Sequence, residues 1–200
     1  MNPSDLTRPH VFVPGSDPAI LLLHGTGADE HDLLRLGSAL MPGAAQLSPR
    51  GMVSEQGMNR FFERRPDGSF VQESVIQAVE QLREFLLAAK AEYGFERVIA
   101  AGFSNGGNTA IALLVSYPEL LEGAVCFGST KPLDVTPVVD LTGKRIWIAN
   151  GVQDPYAPER ITDAWVEELR GLGAEVTRLS HPGGHQISPA HLQQIARELA

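Results

Sequence analysis

The sequence predicts an α/β fold, a mostly parallel sheet with helices on both faces, and three observations carry that expectation. Unbroken apolar runs such as Ala19 to Leu23 and Gly123 to Phe127 read as strands buried on both sides, as parallel strands are. These runs alternate with helix-like stretches along the chain, the pattern of a sheet covered on two faces. Between one such run and one such helix stands Gly102-Phe103-Ser104-Asn105-Gly106. Its glycines permit a sharp turn that holds the serine hydroxyl clear of the backbone, the G-x-S-x-G nucleophile elbow.

The elements follow in order. His10 to Val13 is a short β-prone run closed by Pro14-Gly15, and Ala19 to Leu23 is the first buried strand. The loop His24-Gly25-Thr26-Gly27-Ala28-Asp29 leads into a helix expected from about Glu30 to Leu40. There Leu33, Leu36 and Leu40 recur at helical spacing, and Asp29 suits the N-cap. Ala44 to Leu47 is expected as a strand and Ser48 to Ser69 as an irregular loop, of a length that usually serves function. From Phe70 to Tyr93 the apolar residues Val71, Val75, Val79, Leu82, Phe85, Leu86 and Ala89 recur at helical spacing, and Gly94 stops the helix. Arg97 to Ala101 and the helix Asn108 to Tyr117 flank the serine turn. Arg145 to Ala149 and Glu175 to Leu179 are further strands, while Pro158 to Leu172 and Ser188 to Leu199 are helices. Lys131 to Gly143, with two prolines and little periodicity, is a loop. A single domain over 1–200 is expected, because that length buries one core and no repeat or linker divides it.

Composition narrows the function. With 43% hydrophobic and 20% charged residues the chain is of the ordinary globular kind. A net charge of -8 argues against a nucleic-acid partner, which demands clustered Lys and Arg. The lone Cys126 allows no internal disulfide and no thiolate metal cluster, and the serine chemistry developed below needs no metal and no cofactor. Met1 to His10 lacks the apolar core of a signal peptide, and no early apolar run is long enough to span a bilayer, so a cytoplasmic location is expected. The oligomeric state is left open, a homodimer included.

A serine hydroxyl is a weak nucleophile at neutral pH and needs a base, which in turn needs an orienting acid. In this fold class the three arrive in the order serine, acid, histidine. Ser104, Asp154 and His185 each follow a predicted strand end in that order. His181 is the rival base and Asp134 the rival acid; His10, His31 and His191 sit at a chain start or on helix surfaces, Ser129 lacks an elbow, and Cys126 sits within an apolar strand. The oxyanion formed on attack needs preorganised N–H donors. Asn105, the residue after the nucleophile, and Thr26, between two glycines, are the candidates, with His24 bracing the loop. Between Arg50 and Arg65, Met52, Met58, Phe61 and Phe62 offer aromatic and thioether surface for a substrate, while arginines draw in an anionic one. Equally, the phenylalanines can anchor the loop on the core, with the arginines solvated.

The segments Leu23 to Asp29, Gly102 to Gly107, Gly151 to Pro158 and Gly184-His185 resemble those of the α/β-hydrolase superfamily. Within it the chain is similar to the phospholipase/carboxylesterase family, small bacterial esterases related to acyl-protein thioesterases, over about Ile20 to Leu199. The resemblance implies a nearly lidless fold. It also implies ester hydrolysis by Ser104, Asp154 and His185, with Thr26 and Asn105 as oxyanion donors. The stretch Ser48-Pro49-Arg50-Gly51 to Arg60-Phe61-Phe62 resembles a subgroup of hydroquinone- and catechol-stress hydrolases. Dienelactone hydrolases carry cysteine where Ser104 stands, which argues against that activity. The expected activity is therefore serine carboxylesterase action on small esters through an acyl-enzyme. A lysophospholipase or acyl-protein thioesterase is the alternative within the class, and a non-catalytic ligand sensor the alternative outside it.

Overall fold

Ala19, Leu21 and Leu23 belong to one apolar cluster and Ile20 and Leu22 to another, so alternate side chains of this strand bury opposite faces. Ala124 and Cys126 against Val125 and Phe127, and Ile146 and Ile148 against Trp147 and Ala149, repeat the arrangement. A sheet apolar on both faces must be covered on both faces.

A computed structural model describes residues 6–200. In chain order its elements begin with β1 (His10–Val13), β2 (Ser16–Leu23), α1 (Leu34–Leu40), β3 (Ala44–Pro49), β4 (Val53–Glu55) and β5 (Met58–Arg60). They continue with α2 (Gln72–Tyr93), β6 (Val98–Phe103), α3 (Asn105–Ser116), β7 (Gly123–Phe127), β8 (Arg145–Gly151), α4 (Glu159–Gly171), β9 (Glu175–His181) and α5 (Pro189–Leu199). Seven strands form one sheet in the order β1-β3-β2-β6-β7-β8-β9. All neighbours run parallel except β1 against β3. Buried residues of α2, α3 and α4 join the first cluster, and Leu40 of α1 and Ile195 of α5 join the second, giving helical layers on each side.

The chain builds β3 on one side of β2 and then returns to lay β6 on the other. The carboxyl ends of β2 and β6 therefore flank a topological switch point, the crevice where open α/β sheets bind ligands. The loop carrying Thr26 and the turn carrying Ser104 leave from these two ends.

Two expectations are corrected. Helix α1 starts at Leu34, not Glu30. Asp29 closes a local turn by accepting the His31 N–H at 2.9 Å. Glu30, buried ahead of the helix, is held by a two-pronged pair with Arg50, at 2.6 and 2.7 Å. Nor is Ser48 to Ser69 wholly irregular, because β4 and β5 pair as a hairpin with Val53 opposite Arg60. Its turn residues Gln56 and Gly57 both take positive φ, of 53° and 79°, as a tight two-residue hairpin turn requires. Among the described residues no helix is long and apolar enough to cross a membrane.

Candidate active site

Ser104 has φ 54° and ψ -117°, a left-handed backbone that a serine rarely adopts and that must be imposed by its surroundings. Hydrogen bonds impose it: the Ser104 N–H donates to the Phe127 carbonyl at 2.8 Å, and its own carbonyl accepts the Asn108 N–H at 2.9 Å. The glycines on either side let strand and helix approach. A Cβ at Gly106 would lie 1.9 Å from the Leu23 carbonyl oxygen, and one at Gly102 would lie 2.4 Å from the Gly106 backbone. The spacing of the elbow motif is thus a packing requirement as much as a conformational one.

Three loops converge on this serine. His185 Nε2 lies 2.9 Å from Ser104 Oγ, and His185 Nδ1 lies 2.7 Å from Asp154 Oδ2. The carboxylate is fully buried, and its other oxygen accepts the Tyr156 N–H at 2.9 Å. That bond fixes the plane of the carboxylate, and with it the ring it holds. An acceptor on Nδ1 selects the Nδ1–H tautomer and leaves the Nε2 lone pair facing the hydroxyl. The imidazole is packed between the rings of Phe103, 4.8 Å away, and Tyr156, 5.0 Å away and edge-on. Thr26 and Asn105 line the same cleft as Ser104, and their backbone N–H groups donate no hydrogen bond within the described residues. Asn105 also opens α3, where the helix dipole favours negative charge.

The sequence profile of the phospholipase/carboxylesterase family matches residues 14–200. The chain belongs to this family and is a hydrolase. The family's relatives cover it almost completely. MhqD of Bacillus subtilis (strain 168) is 38% identical over 192 residues, 94% of this chain and 96% of that one. The Bacillus cereus carboxylesterase structure superposes with a TM-score of 0.93 at 37% identity, covering 98% of this chain and 95% of the other. A carboxylesterase from Mesorhizobium loti gives 0.90 at 28% identity, covering 98% and 96%. The fold is accordingly the α/β-hydrolase fold.

The rival groups take no part in the hydrogen-bonded line from Ser104 to Asp154. His181 is buried, accepts the Gly183 N–H on Nδ1 at 3.1 Å and faces the Gln186 carbonyl through Nε2 at 3.2 Å, so both its nitrogens serve the loop that carries His185. Asp134 lines the cleft but makes no hydrogen bond to His185. Ser129 is buried and its backbone is tied to the Asn150 amide. Burial pushes the Cys126 thiol up to about 12, which removes its reactivity.

The expected substrate wall is placed differently. Phe61 and Phe62 are 4% and 0% exposed, inside the first apolar cluster, and anchor the chain on the core rather than facing a ligand. Met52 and Met58 are exposed and lie outside the lining of the cleft, although the Met58 side chain packs close to Gly27. The cleft beside Ser104 has a volume of about 480 Å³, and Arg60, Arg64, Phe70, Asn108, Tyr156 and Ile161 are among its walls. Tyr156 and Arg64 escaped the sequence reading as individuals. The signal for Tyr156 was its place two residues after Asp154; Arg64 had none beyond membership of an arginine-rich stretch.

Proposed function

We propose that this hydrolase is a serine carboxylesterase acting on small esters through an acyl-enzyme. One observation carries the reading: the unbroken line from the Ser104 hydroxyl through His185 to the buried Asp154 carboxylate, at 2.9 and 2.7 Å. As Ser104 Oγ attacks the ester carbonyl, His185 Nε2 takes its proton, and Asp154 stabilises the imidazolium without taking the proton itself. The carbonyl oxygen becomes an oxyanion beside the Thr26 and Asn105 N–H groups, each such donor being worth about 3–4 kcal/mol of barrier. Collapse breaks the bond to the alcohol oxygen, and His185 returns the proton to that leaving group. Water then follows the serine's path, with the same base, to release the acid. Ester and water give acid and alcohol, so the bond changes balance without any redox partner.

A fluorophosphonate probe tests the nucleophile directly. The native chain should be labelled on Ser104 at one equivalent, and Ser104→Ala should lose both labelling and about 10⁴-fold or more of kcat toward a short-chain ester. Labelling and turnover that survive in Ser104→Ala would falsify the reading, and a native chain inert to both reagents would favour a ligand sensor on the hydrolase fold.

A further inference from the structure

The cleft beside Ser104 holds one guanidinium, that of Arg64, that forms no ion pair among the described residues. Five charged residues line it: Arg60, Arg64, Lys131, Asp67 and Asp134. Lys131 is neutralised by Glu168 at 2.8 Å. The two aspartates are exposed, and Asp67 already accepts the Ser69 N–H and hydroxyl at 2.9 and 2.7 Å.

The arginines are in a different position. Arg60 is 3% exposed, its Nε spent on the Phe62 carbonyl at 3.0 Å, with Glu55 as its one carboxylate neighbour at 3.3 Å. Arg64 forms no ion pair among the described residues. Its guanidinium lies over the Tyr156 ring, 5.8 Å from the centroid, and that ring packs edge-on against His185. One aromatic ring therefore separates an unpaired guanidinium from the imidazole beside Ser104. Burial disfavours the charged form of Arg60, Glu55 opposes that effect, and the field of Arg64 adds to it. Two guanidinium groups thus line one cleft with a single ion-pair partner between them, Glu55, while Asp67 and Asp134 pair with neither, an arrangement that an incoming anion relieves. A planar guanidinium matches a carboxylate in two-pronged geometry, whereas an ester alone offers it only a weak acceptor.

We propose that Arg64, backed by Arg60, determines specificity for an ester that also carries a free carboxylate. The inference rests on the esterase reading above and names its substrate class. The second carboxylate undergoes no bond change; it orients the ester over Ser104, and hydrolysis yields an alcohol and an acid of which one bears the extra charge. It can reside on the acyl side, as in a monoester of a dicarboxylic acid, or on the alcohol side, as in an acylated hydroxy acid.

Shape-matched pairs test this, because a carboxylate and an isopropyl group have similar outlines. Monoethyl succinate is compared with ethyl 4-methylpentanoate for the acyl side, and the butanoyl ester of glycolic acid with isobutyl butanoate for the alcohol side. In one pair the charged member should have the higher kcat/KM by about tenfold or more, and that pair identifies the side. The preference should shrink as salt is raised, collapse in Arg64→Met, and return in part in Arg64→Lys. Hydrolysis of the neutral esters with no preference in either pair overturns the inference while leaving the esterase reading intact. So does a preference that Arg64→Met retains. A chain inert to all four esters and to fluorophosphonate overturns both.

Discussion

At the scale of single residues, the site depends on side chains whose freedom has been removed before substrate arrives. Ser104 is held in an unfavourable backbone conformation by its bonds to Phe127 and Asn108, and His185 is fixed by Asp154 on one side and two aromatic rings on the others. Under the proposed mechanism, such preorganisation leaves little to rearrange during attack. The two acids near the cleft are distinguished by this criterion. Asp154 is buried and places an oxygen 2.7 Å from His185, whereas Asp134 is exposed and meets α2 through its backbone, which donates to Gln72 at 3.0 Å. Asp154→Asn keeps the size of the side chain but loses the charge that stabilises the imidazolium and selects the tautomer. It should lower kcat by about 10³–10⁴-fold. Asp134→Asn should lose far less, and steady-state kinetics showing the larger loss at Asp134 would mean that the acid has been misassigned. The sequence pointed to both positions, because both follow strand ends; only their burial and partners separate them.

At the scale of elements, the hairpin β4–β5 and the loop after β2 are fastened to each other. The Gly51 N–H donates to His24 Nε2 at 2.9 Å, the Gly27 N–H to the Asn59 carbonyl at 2.9 Å, and Asn59 Nδ2 to the Ala28 carbonyl at 2.9 Å. The Phe61 N–H closes the set on the Asn105 side chain at 2.8 Å. Thr26 and Asn105 therefore sit in segments bound to the hairpin that ends in Arg60. His24 can accept from Gly51 only while neutral, its Nδ1–H being directed to the Gly25 carbonyl at 2.7 Å. Burial holds its pKa below the ordinary value of 6.5, and His191 shifts the same way, through burial and the nearby His181 and Arg178. The unfolded chain then takes up protons before the folded one, so stability is complete above 6.5 and is lost as pH falls below it. Melting curves should show Tm falling between about pH 7 and pH 5. The slope should be shallower in His24→Gln, whose amide oxygen still accepts from Gly51 but does not titrate; equal slopes would remove His24 from the account. The sequence reading had His24 bracing its loop. It missed the hairpin, because strands of three residues give no periodicity and Gln-Gly is a weak turn signal beside Asn-Gly.

At the scale of the molecule, the fold was legible because its strands are continuous apolar runs with helices between them, and a right-handed, parallel arrangement admits few alternatives. The pocket was not, because its walls come from residues far apart in sequence whose orientation depends on packing. Phe61 and Phe62 fall on the core side of a bend, while Arg64 and Tyr156 face each other across the cleft only after β5 and β8 are set in place. That outcome bears on the length of acyl chain accepted. With Phe61 and Phe62 withdrawn into the core, the walls beside Ser104 mix polar residues such as Thr26, Arg60, Arg64 and Asn108 with the apolar Phe70, Tyr156 and Ile161. A space of about 480 Å³ suits a small ligand, and the methylenes of an acyl chain too long to fit within it stay in water and add nothing to binding. Across a series of neutral 4-nitrophenyl esters, kcat/KM should be highest between acetyl and hexanoyl and lower by about tenfold or more at dodecanoyl. A profile that instead rises toward the longest chains would reassign this hydrolase to lysophospholipase or acyl-protein thioesterase chemistry. It would also mean that the exposed side chains of Tyr156, Ile161 and Met58 extend the cleft into an apolar groove when a lipid chain is bound.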